Sequence, residues 1–215
     1  MTSIISYSGL VEQGATLSLS PEQLSPFAKK ISNESWKVMK LIDLLLLALS
    51  EKREISSFNL PTFKQTLIQR ANSRYGLGEA DLLLTGFDSE ISVKGDLDQM
   101  SLLSCEIISN ALGAFNALEN GDENGCAVTI EANIIDSRAV IKFTNPSPKH
   151  NAELKDLFHL ATSEFPRSNK PPGIGLFSLA RTINRWGGAV EVSELQGADN
   201  SIIFITSITL PLTQQ

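Results

Sequence analysis

Gly173-Ile174-Gly175-Leu176-Phe177-Ser178-Leu179-Ala180-Arg181, followed shortly by Trp186-Gly187-Gly188-Ala189-Val190-Glu191-Val192, is the stretch on which the reading of this chain turns. Its apolar residues recur at helical spacing from about Gly175 to Trp186, and the paired glycines then stop the helix ahead of an alternating run. Glycine at a helix start lets backbone come close to a bound phosphate, where the first free amides and the helix dipole favour negative charge. A lone Gly-x-Gly more often simply launches a helix, so its meaning depends on what precedes it.

Upstream, Leu97 to Leu118 reads as a long amphipathic helix with Leu102, Leu103, Ile107, Ile108 and Leu112 directed inward. On it, Glu106 and Asn110 stand four apart and project from one face. A carboxylate orients water or a cation's waters, and an amide oxygen suits the shell of Mg²⁺, although such a pair alone is common on solvated helix faces. Ala127 to Ile135 and Ala139 to Thr144 alternate like strands about the turn Asp136-Ser137, which predicts a hairpin. The second strand runs into Asn145-Pro146-Ser147-Pro148, read as a turn, and the segment to Pro172 is a long irregular lid. Ala189 to Leu195 and Ser201 to Leu210 form the closing pair of strands, and Asp81 to Gly95 reads as extended.

Towards the N-terminus, Thr62 to Tyr75 predicts a helix stopped by Gly76 and Gly78. Ser20-Pro21-Glu22-Gln23 is a helix start, Ser25-Pro26 is expected to break that helix, and Ser32-Asn33-Glu34 to cap a second piece from Trp36 to Ser50. That second piece is apolar on nearly its whole circumference and therefore needs cover on more than one side. Residues 1–20, rich in Ser, Gly and Thr, read as a flexible arm.

Composition narrows the classes of function. The chain has 215 residues, 42% of them hydrophobic and 20% charged, which places it among folding globular proteins. Its net charge of −6 gives no footprint for a nucleic-acid backbone or an anionic membrane. The most apolar window, Leu41 to Leu49, is too short to span a bilayer, and Met1 to Leu10 lacks signal-peptide character. Two cysteines make no disulfide framework and no zinc spacing, so a cytoplasmic setting is expected.

The order of these elements resembles the catalytic, ATP-binding domain of bacterial sensor histidine kinases, within the wider Bergerat-fold (GHKL) group. The features that carry it are a helix bearing Glu106-x-x-x-Asn110-Ala111, a hairpin ending in a polar motif, an irregular lid, Gly173-x-Gly175-Leu176 at a helix start, and a strand from Phe204 to Leu210-Pro211. The resemblance covers about Leu60 to Pro211. It implies a two-layer α/β sandwich, a mixed sheet covered on one face by helices, with residues 59–215 as the ATP-binding domain. Residues 21–58 would be a helical dimerisation region. It further implies Mg²⁺ on Asn110, Glu106 as the catalytic group, Asn145 towards the base, and Gly173, Ile174, Gly175 and Leu176 along the phosphates. The cofactors would be ATP and Mg²⁺, and the partner a response regulator or other two-component protein.

The chain also departs from the family pattern. Asn145-Pro146-Ser147-Pro148 stands where the family has Asp-x-Gly-x-Gly, so a neutral amide replaces a carboxylate and the backbone course must differ. Leu112, Gly113 and Ala114 follow Asn110-Ala111 where a basic residue is usual, leaving Lys170 or Arg181 to face the phosphates. The two histidines, His150 and His159, both fall in the lid, and none lies between residues 1 and 149, where the family carries its phosphoacceptor. The leading expectation is thus a homodimeric ATP-binding signalling protein without its own acceptor. The alternative is a nucleotide-free docking scaffold that keeps the kinase shape.

Overall fold

The structure is a computed structural model, and it describes residues 20–49, 56–116, 118, 128–147, 174–196 and 202–213. The chain divides into two compact units, Met1–Leu46 and Leu47–Gln215. The expected arm before residue 20, the lid from 148 to 173 with both histidines, Lys170 and Gly173 lie outside the described residues.

Helix α1 runs unbroken from Pro21 to Leu49, with Pro26 inside it. This corrects the expectation of two pieces: Pro26 forfeits only its own backbone hydrogen bond, and it lies close enough to the N-terminus for the helix to continue past it. Ser32-Asn33-Glu34 is therefore helix interior and not a cap. Met39, Ile42 and Leu46 are 64%, 50% and 62% exposed, an apolar stripe at i, i+3 and i+7.

The larger unit is built on a five-stranded mixed sheet in the order β2-β4-β5-β7-β6, comprising β2 (Leu82–Thr85), β4 (Val128–Ile135), β5 (Arg138–Ser147), β6 (Ala189–Gln196) and β7 (Ile202–Pro211). Only β2 with β4 is parallel. A small antiparallel pair, β1 (Ser57–Asn59) with β3 (Ser92–Lys94), forms a second sheet, joined to the residues after β7 by the bridge between Val93 and Leu212. The β4–β5 hairpin closes on Asp136 and Ser137, both at positive φ of 49° and 59°, the primed turn that matches strand twist.

Burial alternates along β5, where Ala139, Ile141, Phe143, Asn145 and Ser147 face inward. The strand thus continues three residues beyond its expected end at Thr144, through the segment read as a turn. Pro146 is tolerated because only its missing N–H is lost to the ladder, and it still pairs in register with Ile203.

Three helices cover the inner face: α2 (Leu60–Tyr75), α3 (Leu97–Phe115) and α4 (Ile174–Arg185), with α3 over β4 and β5, α4 over β6 and β7, and α2 against α3. Phe63, Phe87 and Phe143 are at most 1% exposed, and Phe63 packs on Phe58 and Phe87 with ring centroids 5.7 and 6.0 Å apart. Burying each such ring contributes about 1.5–3 kcal/mol. Of the apolar residues expected to point inward from α3, Leu103, Ile107 and Ile108 are buried, whereas Leu102 and Leu112 are half-buried.

Candidate functional site

Two local devices set the position of α3. Asp96 caps it, its carboxylate accepting from the Gln99 amide at 2.8 Å. The Tyr75 hydroxyl, at the end of α2, donates to the Cys105 carbonyl at 3.0 Å. Burial, opposed in part by a hydrogen bond from Ser109, raises the Tyr75 pKa above its ordinary 10.0. With the helix so phased, Glu106, Ile107, Asn110 and Ala114 turn towards a cavity of about 260 Å³ between α3, α4 and the inner faces of β5 and β7. Glu106 is 5% exposed while Asn110, one turn on, is exposed, so the cavity deepens from Asn110 towards Glu106.

Helix α4 forms the second wall because its end is fixed firmly. Gly187 N–H donates to Asn184 C=O and Gly188 N–H to Ile183 C=O, each at 3.0 Å, with Gly187 left-handed at φ 78°, which is a Schellman stop. Gly188 then passes so close to β7 that a Cβ there would lie 2.2 Å from the Thr209 carbonyl oxygen. At the other end of α4, a Cβ on Gly175 would sit 3.7 Å from Glu106 Cβ and 3.9 Å from its Oε2, so the first turn lies directly against that carboxylate.

The floor comes from the sheet. Asn145, 6% exposed, donates from Nδ2 to the Pro146 carbonyl at 3.0 Å. A carbonyl only accepts, so this bond fixes the amide and leaves Oδ1 as the acceptor the side chain offers. Register places Phe204 beside Asn145 and Thr206 beside Phe143, bringing Phe204, Thr206 and Ser147 into the same cavity. Ile107, Ala114, Leu176, Leu179 and Phe204 supply apolar walls, and Glu106 is the sole ionisable residue among the described lining.

Of the residues expected from sequence, the cavity unites Glu106, Asn110, Asn145, Gly175 and Leu176. Gly173 lies outside the described residues; Ile174 begins α4 but is not in the cavity lining. Arg181 is exposed and does not line the cavity. Burial, then the charge of Arg181, lowers the pKa of Arg185. Sequence reasoning missed Ser147, Phe204 and Thr206; extending the two-residue alternation of Ala139, Ile141 and Phe143 through Asn145 would have found Ser147.

Among the described residues there is no cluster of three or more His, Cys, Asp and Glu that could form an all-protein metal cage. The donor set nonetheless fits Mg²⁺, which binds through one or two side-chain oxygens and completes its shell with phosphate and water. Glu106 and Asn110 offer two such oxygens one turn apart. The space, near 260 Å³, has a neutral hydrogen-bonding floor and apolar walls, the lining of a small-molecule site.

The fold is that of the histidine kinase catalytic domain: a five-stranded mixed sheet backed by helices, with a cleft between the Glu106-x-x-x-Asn110 helix and the Gly175 helix. The chain is similar to the Acinetobacter baumannii histidine kinase AdeS, at 17% identity and TM-score 0.64, over 99% of this chain and 96% of that one. Histidine kinase ThkA in complex with the response regulator TrrA aligns at 16% identity and TM-score 0.61, over 96% of this chain and 57% of that one. Full-length ShkA in complex with AMPPNP aligns at 14% identity and TM-score 0.61, over 92% and 40%. No protein-family model and no curated protein sequence matches the chain.

Proposed function

We propose that this chain is an ATP-binding two-component signalling protein that acts on, or regulates, a response-regulator partner. The observation that carries the reading is the convergence of Glu106, Asn110, Asn145 and Gly175, distant in sequence, on one cavity. Asn145 Oδ1 accepts from an exocyclic amino group of the base, and the apolar walls sandwich the ring. Asn110 holds Mg²⁺ against the phosphates, and the free amides at the start of α4 face their oxygens. Bound Mg²⁺ supplies charge neutralisation for phosphoryl transfer, with Glu106 placed to orient the attacking group. The likeness to kinases solved with AMPPNP and with a response regulator supports this assignment of ligand and partner.

No histidine lies in residues 1–149, which supports a reading in which the phosphate goes to a partner. The exposed stripe Met39, Ile42 and Leu46 is the dimer contact, joining two copies through α1 in a cytoplasmic homodimer. One observation favours the scaffold alternative: the described lining carries a carboxylate and no cation, which is unfavourable for a triphosphate without metal. Calorimetric titration with Mg²⁺-ATP separates the two readings. Asn110→Asp is expected to change the affinity more than Asn116→Asp on the same helix, and equal effects would remove Asn110 from the site.

A further inference from the structure

The two helices that wall the cavity also meet at their other ends, away from it. Gly95, just ahead of α3, is buried, and a Cβ on it would lie 2.8 Å from Trp186 Cε3 and 3.1 Å from Phe58 Cε1, so the indole that follows α4 lies directly on its backbone. Trp186 and Phe58 are themselves buried. Eleven residues separate Gly95 from Glu106, and eleven separate Gly175 from Trp186. Eleven residues make about three helical turns, roughly 16 Å, so the two contacts fall on the same faces of two antiparallel helices. Helices α3 and α4 are thus jaws of matched length, pinned where Trp186 covers Gly95 and facing each other at the cavity where Gly175 meets Glu106. The segment entering β1 holds the pin: the Gly95 N–H donates to the Ser56 carbonyl at 2.9 Å, Ser56 Oγ donates to the Gly95 carbonyl at 3.0 Å, and Phe58 pairs with Val93.

We infer that Ser56, Gly95 and Trp186 form a pivot that sets the spacing of the two cavity walls, as positioning residues about three helical turns from any ligand. Close-packed helices transmit displacement along their length, and a binding site is held only when its walls are fixed to about 0.5 Å. A change at the pin therefore reappears at the mouth, at Glu106 and Asn110 on one jaw and at Gly175 and Leu176 on the other. The consequence for nucleotide affinity rests on the ATP reading; the spacing itself rests on the contacts at the two ends of the jaws.

The test uses Trp186→Phe and Ser56→Ala in the full chain. The first shortens the ring that lies on Gly95; the second removes only a hydroxyl from an exposed residue and so keeps the fold if the first does not. Leu82→Ala, buried in β2 at the sheet edge away from α4, is the control for lost packing alone. Amide ¹H–¹⁵N spectra are read first, without nucleotide. Both pivot variants should shift Glu106 to Ala114 and Gly175 to Leu179 as well as the residues beside the substitution, and Leu82→Ala should leave those walls in place. Shifts confined to the neighbourhood of Gly95 and Trp186, or equal wall shifts in Leu82→Ala, would overturn the pivot. Affinity for Mg²⁺-ATP is then measured, and a fall of about two- to tenfold is expected in Ser56→Ala. An unchanged affinity beside shifted walls would overturn the link from spacing to binding. If the walls shift as expected but the wild type binds no Mg²⁺-ATP, the pivot stands and the ATP reading fails.

Discussion

Asn145→Asp restores the carboxylate usual in the resembling family, yet here it should weaken the fold. Asn145 Nδ2 donates to the Pro146 carbonyl at 3.0 Å, and the side chain is 6% exposed. A carboxylate cannot donate, so the variant loses a bond worth about 0.5–1.5 kcal/mol and places two acceptors face to face in a buried site. Together with the cost of desolvating the charge, a loss of about 2–3 kcal/mol is expected, or roughly 4–12 °C in Tm for a unit of this size. The pH dependence has a definite sign. Burial and the facing carbonyl raise the folded-state pKa of the new carboxyl above its unfolded value near 4, so the deficit is absent at lower pH and grows as pH rises through the folded value. Below pH 4 the protonated acid again donates to Pro146. Urea unfolding of both proteins at pH 4 and pH 7.5 reads the effect directly. Equal stability at pH 7.5, or a deficit unchanged at pH 4, would refute the hydrogen-bond assignment and the orientation of the amide built on it.

Phe63→Ala should cost about 3–5 kcal/mol in urea unfolding, because the ring is fully buried between Phe58 and Phe87. Gly188→Ala should lower Tm sharply, since its Cβ would lie 2.2 Å from the Thr209 carbonyl oxygen, whereas Gly113→Ala, exposed in α3 with nothing within 4 Å, should stabilise by about 0.5–1 kcal/mol. Tyr75 has a raised pKa, so its contribution holds below pH 10.0 and is lost as pH climbs through the folded value; Tyr75→Phe should cost about 1 kcal/mol at pH 7 and flatten that alkaline loss. Light scattering of the wild type should give twice 23.4 kDa, and Leu45→Glu with Leu46→Glu should give a folded monomer of 23.4 kDa.

Elements whose patterns are set locally were legible in the sequence. The Asp136-Ser137 hairpin, the α3 helix and the Gly187-Gly188 stop each depend on neighbours a few residues away, and each stands where the spacing places it. The errors had two causes. Pro26 reads as a break but is tolerated inside α1 because it lies near the start of the helix, whereas Asn145-Pro146-Ser147 reads as a turn but tertiary pairing with β7 holds it as strand. That second error had a cost at the site, because Phe204 and Thr206 reach the cavity only through the register of β7 on an extended β5. Glu106 and Asn110 were legible as a pair, but the contact of Glu106 with the start of α4 joins residues 69 apart in sequence, and no spacing rule reports it.

The central claim is that the cleft between α3, α4 and the β5–β7 face holds a Mg²⁺-nucleotide. The most direct measurement is an amide ¹H–¹⁵N spectrum of the labelled protein titrated with ATP in Mg²⁺. The predicted result is saturable shifts, at one equivalent per chain, concentrated at Glu106 to Ala114, Asn145, Ser147, Gly175 to Leu179 and Phe204 to Thr206. Shifts that fail to saturate, or that saturate on other residues and leave these in place, would contradict it.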